Sequence, residues 1–132
     1  MSGDVISPIV YDAGALLAAE RGDRRLRGLH DEAVLIQTPI LVPAPVLAQV
    51  WRDGGKQARL SRLLKGCTVE PTSEQVAKAA GVLLGASGTS DAIDAIVVAT
   101  ALPLGAVVFT SDADDMNKLA EAAGAELELI VV

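Results

Sequence analysis

The stretch IVYDAGALLAAE, residues 9–20, shows the fold in miniature: three apolar residues, an aspartate, then a run rich in Ala and Leu. Ile9-Val10-Tyr11 reads as a short buried strand. Ala13 to Glu20 reads as a helix, because Ala and Leu are among the best helix formers. Asp12 therefore stands at the carboxyl end of a strand and at the mouth of a helix. The alternation repeats outward along the chain. Arg24 to Gln37 carries Leu26, Leu29, Ala33 and Ile36 at helical spacing, with Pro39 as its stop. Ile40-Leu41-Val42 is a second strand. A helix follows from Pro43 and Pro45, which suit a first turn, through Val46, Leu47, Val50 and Trp51 to Gly54-Gly55. Lys56 to Lys65 is a helix with Leu60, Leu63 and Leu64 on one side, and Thr68-Val69-Glu70 is a third strand. Thr72 with Gln75 forms a capping-box pattern before a helix carrying Val76, Ala79, Ala80, Leu83 and Leu84. Asp91 to Leu102 is a nearly all-apolar helix, buried around most of its circumference. A strand at Ala106–Phe109, a helix at Asp114–Ala123 and a strand at Leu127–Val132 complete the series. Short strands that are apolar on both faces belong to a parallel sheet covered on each side. The fold class is an α/β sandwich, and pattern alone leaves the strand order open.

Composition narrows the function. The 132 residues suit one domain spanning 1–132. With 51% hydrophobic and 21% charged residues, and a mean hydropathy of +0.41, the chain is a folded one. Cys67 is the only cysteine and His30 the only histidine. That excludes a disulfide framework, a cysteine zinc cluster and a histidine-based nucleophile with supporting partners. The three aromatics, Trp51, Tyr11 and Phe109, argue against base-stacking platforms. Trp51 is read as core or groove wall and Tyr11 as core. No basic stretch precedes an apolar run at Met1–Asp4, and the uncharged run from Ala95 to Ser111 is broken by Pro103 and Gly105. The expectation is a cytoplasmic protein without membrane insertion.

Among the seventeen acids, three resist a purely structural reading. Asp12 and Asp112 follow strands at their carboxyl ends, where open α/β sheets bind ligands. Their bland alternatives are a helix cap and a turn residue. Asp94 lies between Ile93 and Ile96 in the most apolar helix, a full turn from its start, where capping does not account for it. A buried carboxylate needs a cation or a donor. Asp91 lies on the same helical side. Asp114 and Asp115 open a helix and favour its dipole. Carboxylates converging at one sheet edge repel, and a divalent cation relieves the repulsion. Oxygen-only donors select Mg²⁺ or Mn²⁺, and the chemistry that follows is metal-dependent phosphodiester hydrolysis.

Val10-Tyr11-Asp12-Ala13-Gly14-Ala15-Leu16-Leu17, Val42 through Arg52, Asp91-Ala92-Ile93-Asp94-Ala95 and Phe109 through Asp115 resemble the PIN-domain ribonucleases. Within them the chain is similar to VapC toxins of type II toxin–antitoxin pairs. The resemblance implies a three-layer α/β/α sandwich with a central parallel sheet in the order 3-2-1-4-5. It also implies Mg²⁺ or Mn²⁺, endoribonuclease activity on structured RNA such as tRNA or rRNA, homodimers and a small VapB-like antitoxin as partner. By position Asp12, Asp94 and Asp112 match the family's first, third and fourth acids as catalytic and metal-holding residues. Thr110 matches its Thr or Ser, and Asp91 and Asp115 match acids near the pocket. The family's second acid falls at Gln49, which offers a neutral oxygen and no charge. The alternative is a weakened or inactive module that binds RNA or antitoxin without cutting. A signalling receiver domain is a poorer match, since Asp12 is followed by Ala13-Gly14 and no phosphoacceptor aspartate follows Glu70 before Asp91.

The formal net charge of −6 argues against nucleic acid only if it is uniform. It is not. Residues 21–65 hold nine Lys or Arg against four acids, a local +5, and the remainder carries −11. Arg52, Lys56, Arg59, Arg62 and Lys65 form the candidate RNA-binding strip. The competing reading is an ordinary solvated helix face. Arg21, Arg24, Arg25 and Arg27 form a second basic cluster.

Overall fold

A computed structural model describes residues 7–132, so the reading of Met1–Asp4 lies outside the described residues. Five parallel strands form one sheet: β1 (Ile9–Tyr11), β2 (Ile40–Pro43), β3 (Thr68–Glu70), β4 (Val107–Thr110) and β5 (Glu128–Val131). Their order is β3-β2-β1-β4-β5. Seven α-helices connect them: α1 (Ala13–Glu20), α2 (Arg24–Leu35), α3 (Ala44–Val50), α4 (Ala58–Leu64), α5 (Glu74–Ser87), α6 (Ala92–Ala101) and α7 (Ala113–Ala122). Helices α5, α6 and α7 pack together, with α6 lying along β1, β2 and β4, while α1 packs with α2, α3 and α4. The architecture is the three-layer α/β/α sandwich. Among the described residues no single helix is long and apolar enough to cross a membrane.

The central strand explains the layering. Ile9, Val10 and Tyr11 are all buried, so β1 is covered on both faces, as an inner strand of a parallel sheet must be. Register pairs Tyr11 with Phe109 and Ile9 with both Ile40 and Val107. This register brings the ends of β1 and β4 level, and with them Asp12 and the Ser111-Asp112 turn. The Asp12 N–H donates to Phe109 O at 3.2 Å, extending the ladder one step past β1. On the α2 side, Tyr11 lies with its ring centroid 5.3 Å from Phe109, and its hydroxyl meets His30 Nδ1 at 2.8 Å.

Four local readings are corrected. Helix α2 ends at Leu35, before Pro39 can act. Gln37 adopts a left-handed φ of 61°, Thr38 N–H bonds Ala33 O at 2.9 Å and Gln37 N–H bonds Val34 O at 3.1 Å. That paired capping pattern terminates the helix by itself. Helix α5 is capped by Ser73, whose hydroxyl accepts from Val76 N–H at 3.1 Å. Thr72, read as the cap, has a buried hydroxyl without a hydrogen-bond partner. Lys56 lies in a separate 3₁₀ turn, Gly54–Lys56, so α4 begins at Ala58. Helix α6 begins at Ala92, which puts Asp94 in its first turn and not a full turn inside.

Candidate active site

Three helices begin beside the carboxyl ends of the strands, each capped by one of the aspartates singled out above. Asp12 accepts from Ala15 N–H at 3.0 Å at the start of α1. Asp112 accepts from Asp115 N–H at 3.3 Å at the start of α7. Asp91 accepts from Ile93 and Asp94 N–H, both at 3.0 Å, at the start of α6. Capping satisfies N–H groups that a helix leaves free. Here it also fixes where the carboxylates stand, and the helix cap given as the alternative for Asp12 is what the structure shows.

Thr110 ties two of them. Fully buried at the end of β4, its hydroxyl accepts from Asp112 N–H at 2.9 Å and lies beside the Asp12 carboxylate, whose pKa it lowers. Asp12 is itself buried, and burial pushes its carboxyl upward. The hydrogen bonds from Thr110, Ala15 and Gly14 oppose that rise, and the charge of Asp112 adds to it.

Asp94 lies half-buried in the first turn of α6. A helix N-terminus favours a carboxylate, yet its carboxyl is pushed up to about 7. Burial is the largest cause, followed by the charges of Asp91, Asp12, Asp115 and Asp112. Asp94 thus feels the other four carboxylates. Asp115 is raised as well, chiefly through a hydrogen bond with the Asp112 side chain and the charge of that group. Gln49 lies exposed on α3, a helix that packs against α6.

These donors fit a hard divalent cation by chemistry: carboxylate oxygens under mutual repulsion, with a neutral amide on an adjoining helix. Among the described residues, no three acidic, histidine or cysteine side chains already stand close enough to hold an ion. The carboxylates are near enough for four of them to raise Asp94.

The five cations of the candidate strip divide. Arg59, Arg62 and Lys65 line a cavity of about 390 Å³ together with Leu26, His30 and Leu63, between α2 and α4. Arg52 and Lys56 lie apart from them, after α3 and in the 3₁₀ turn. Trp51 is 40% exposed and is not core.

Two contributors escaped the sequence reading. A Cβ at Gly14 would lie 2.1 Å from Ser111 Oγ, so only glycine lets α1 approach the β4–α7 turn this closely. Its signal was a poor helix former in a helix's first turn. Gln57, buried, donates to Val50 O at 2.9 Å and Glu20 Oε1 at 3.0 Å. It also accepts from Arg52 N–H at 2.9 Å and Asp53 N–H at 3.3 Å. Nothing in its local sequence sets it apart from a surface amide.

The comparisons accord with this architecture. The solved structure of VapBC2 from Rickettsia felis, bound to a DNA fragment from their promoter, superposes with a TM-score of 0.72 at 14% identity, covering 94% of this chain and 98% of that one. FitAcB from Neisseria gonorrhoeae gives 0.63 at 18% identity, over 91% and 96%. A toxin–antitoxin complex from Klebsiella pneumoniae gives 0.63 at 19%, over 81% and 88%. At such identities the likeness is one of fold. No curated protein matches at the sequence level. The PIN domain family model matches residues 9–122, most of the chain and every carboxylate of the candidate site, and the chain belongs to the PIN domain family.

Proposed function

We propose that this chain is a single-domain, metal-dependent endoribonuclease serving as the toxin of a toxin–antitoxin pair. The observation that carries the reading is Thr110, whose hydroxyl accepts from Asp112 N–H and lies beside the Asp12 carboxylate, near an Asp94 raised to about 7 by burial and four neighbouring acids. Such perturbed carboxylates mark functional sites.

Asp12, Asp94 and Asp112 would hold Mg²⁺ or Mn²⁺. When bound, the ion neutralises phosphate oxygens and lowers the pKa of water. The chain's own residues supply orientation. Thr110 fixes the Asp12 carboxylate, the α1 and α7 caps fix Asp12 and Asp112, and Asp91 holds the first turn of α6 so that Asp94 faces its neighbours. Structured RNA such as tRNA or rRNA is the substrate class, with Arg52 and Lys56 meeting phosphates. The likeness to the toxin–antitoxin complex from Klebsiella pneumoniae supports a VapB-like antitoxin as partner, and the family resemblance suggests a homodimer.

Incubating purified protein with tRNA and rRNA tests the reading. Cleavage should require Mn²⁺ or Mg²⁺, stop with EDTA and fall at least a hundredfold in Asp94→Asn. Equal cleavage by wild type and Asp94→Asn would sink it.

Gln49 favours a second reading, an RNA- or antitoxin-binding module with little catalysis, because an exposed neutral amide stands in the family's acidic position. Gln49→Glu decides between them. If the wild type neither cuts RNA nor binds Mn²⁺ while Gln49→Glu does both, the module reading holds.

A further inference from the structure

Tyr11 is 0% and Phe109 2% exposed, whereas Trp51 is 40% exposed. The sequence holds one residue of each aromatic type, so Trp51 is the chain's one solvent-facing aromatic ring. It is also a seated ring. Its Cζ2 and Cη2 atoms lie over Gly54, where an added Cβ would stand 2.8 Å from both. The glycine lets the indole lie against the backbone. Trp51 N–H donates to Leu47 O at 2.8 Å, which holds its backbone to the end of α3. On the far side, the buried Gln57 amide grips Val50 O and the N–H groups of Arg52 and Asp53. The segment bearing the indole is therefore held on both flanks, and little freedom remains to be lost on binding.

The adjoining charge is fixed as well. The Arg52 guanidinium donates to Trp51 O at 2.8 Å and to Ala48 O at 3.4 Å. A guanidinium held at a helix C-terminus is favoured by the helix dipole, and here it belongs to the residue that follows the 40% exposed indole. A flat aromatic beside a fixed cation is the pairing that binds single-stranded nucleic acid, with a base on the ring and phosphate on the charge.

We propose that Trp51 is an RNA-binding residue that stacks one unpaired base, with Arg52 meeting a neighbouring phosphate. The assignment rests on the ribonuclease reading above and deepens it. With one platform available, recognition at this point is of a single unpaired base, tolerant of its identity. A loop or bulge supplies such a base; a continuous duplex does not.

Trp51 is also the only indole reporter. Wild-type protein in EDTA is titrated with a fluorescein-labelled 12-nucleotide single-stranded RNA of mixed sequence and with the blunt duplex it forms with its complement. Binding is read by anisotropy and, with unlabelled RNA, by indole emission. Single-stranded RNA should quench the emission at saturation, and the duplex should quench it less. Trp51→Ala should weaken single-strand binding about tenfold or more, while Trp51→Phe, which keeps a π-face, should recover most of it. Circular dichroism checks folding of both variants. Unchanged emission on RNA binding, or equal affinity in Trp51→Ala, overturns the assignment, as does emission that responds only to a partner protein. If those results come with undiminished Mn²⁺-dependent cleavage, stacking fails and the nuclease reading stands. If wild type neither binds nor cuts RNA, the nuclease reading fails and stacking falls with it.

Discussion

Gly14 and Ser111 meet backbone to backbone: a Cβ on Gly14 would lie 2.1 Å from Ser111 Oγ, 2.7 Å from its Cβ and 2.9 Å from its N. The Oγ could rotate away, but the Cβ and the main chain could not. This contact presses the first turn of α1, capped by Asp12, against the turn that leads to Asp112. Gly14→Ala should therefore destabilise by about 1–3 kcal/mol, the usual cost of overpacking, and lower RNA cleavage at least tenfold. Chemical denaturation and a cleavage assay check both. Ser111→Gly in the same chain should recover part of the loss, as expected for coupled neighbours. If Gly14→Ala folds and cuts like wild type, the close approach does not position the acids.

Thr110 offers a sharper test of positioning. Thr110→Val keeps shape and burial but leaves Asp112 N–H without its acceptor and removes the hydroxyl beside Asp12. An unmade buried hydrogen bond costs about 1–3 kcal/mol. Cleavage should fall roughly tenfold to a hundredfold on that scale, with the apparent Mn²⁺ requirement rising more than KM for RNA. Thr110→Ser restores the hydroxyl and should restore activity. Equal loss in both variants would indicate a packing role only.

Local preference made much of the fold legible. Ile9–Tyr11, Ala13–Glu20 and Thr68–Glu70 lie where composition puts them, because apolar runs and Ala/Leu-rich segments are decided locally. Strand order came from family resemblance, since no periodicity encodes which strand pairs with which. Asp12 and Asp112 were legible as residues following strands and Asp94 by its apolar helix, whereas Thr110 came from the family resemblance, because threonine reads equally well as a strand former. Gly14 and Gln57 act through contacts with residues 97 and 37 positions away in the chain, which no local window contains. Of the two readings of Trp51, core and groove wall, the first fails, because Gly54 provides the indole a seat at the surface. The basic strip was visible as spacing on a helix. That its later members turn toward α2 depends on packing.

Asp94→Asn should stabilise the metal-free protein while abolishing cleavage. The folded carboxyl is raised to about 7 from 3.8, so the native state takes up a proton at higher pH than the unfolded chain. Stability is then lost as pH rises from about 4 to about 7 and stays lost above. Discounted for the solvent that reaches a half-buried group, the gain from the neutral amide at pH 8 is about 1 kcal/mol, or about 3–5 °C in Tm. The difference should shrink by pH 5, where wild-type Asp94 is protonated. Saturating Mg²⁺ at pH 8 should raise Tm of the wild type more than that of the variant. A variant less stable than wild type at pH 8 in EDTA would remove the case for repulsion among these acids.

His30 contributes with the opposite sign. Burial against Tyr11 lowers its pKa from 6.5, with the Asp31 charge pulling upward. Arg59, Arg62 and Lys65 share the cavity it lines, and Tyr11, raised by burial, stays neutral. A neutral imidazole is thus favoured in the folded state. Its contribution is present above pH 6.5 and is lost as pH falls through the lowered value, because the unfolded chain binds the proton first. In wild type this loss is masked by protonation of Asp94 in the same range. The Asp94→Asn background removes the larger mask, and comparing it with Asp94→Asn/His30→Asn isolates the imidazole, since the Asn amide keeps a polar atom facing Tyr11 Oη. Between pH 7.5 and 5, Tm of the single variant should fall more steeply than that of the double. Parallel curves would mean that His30 titrates alike in the folded and unfolded chains.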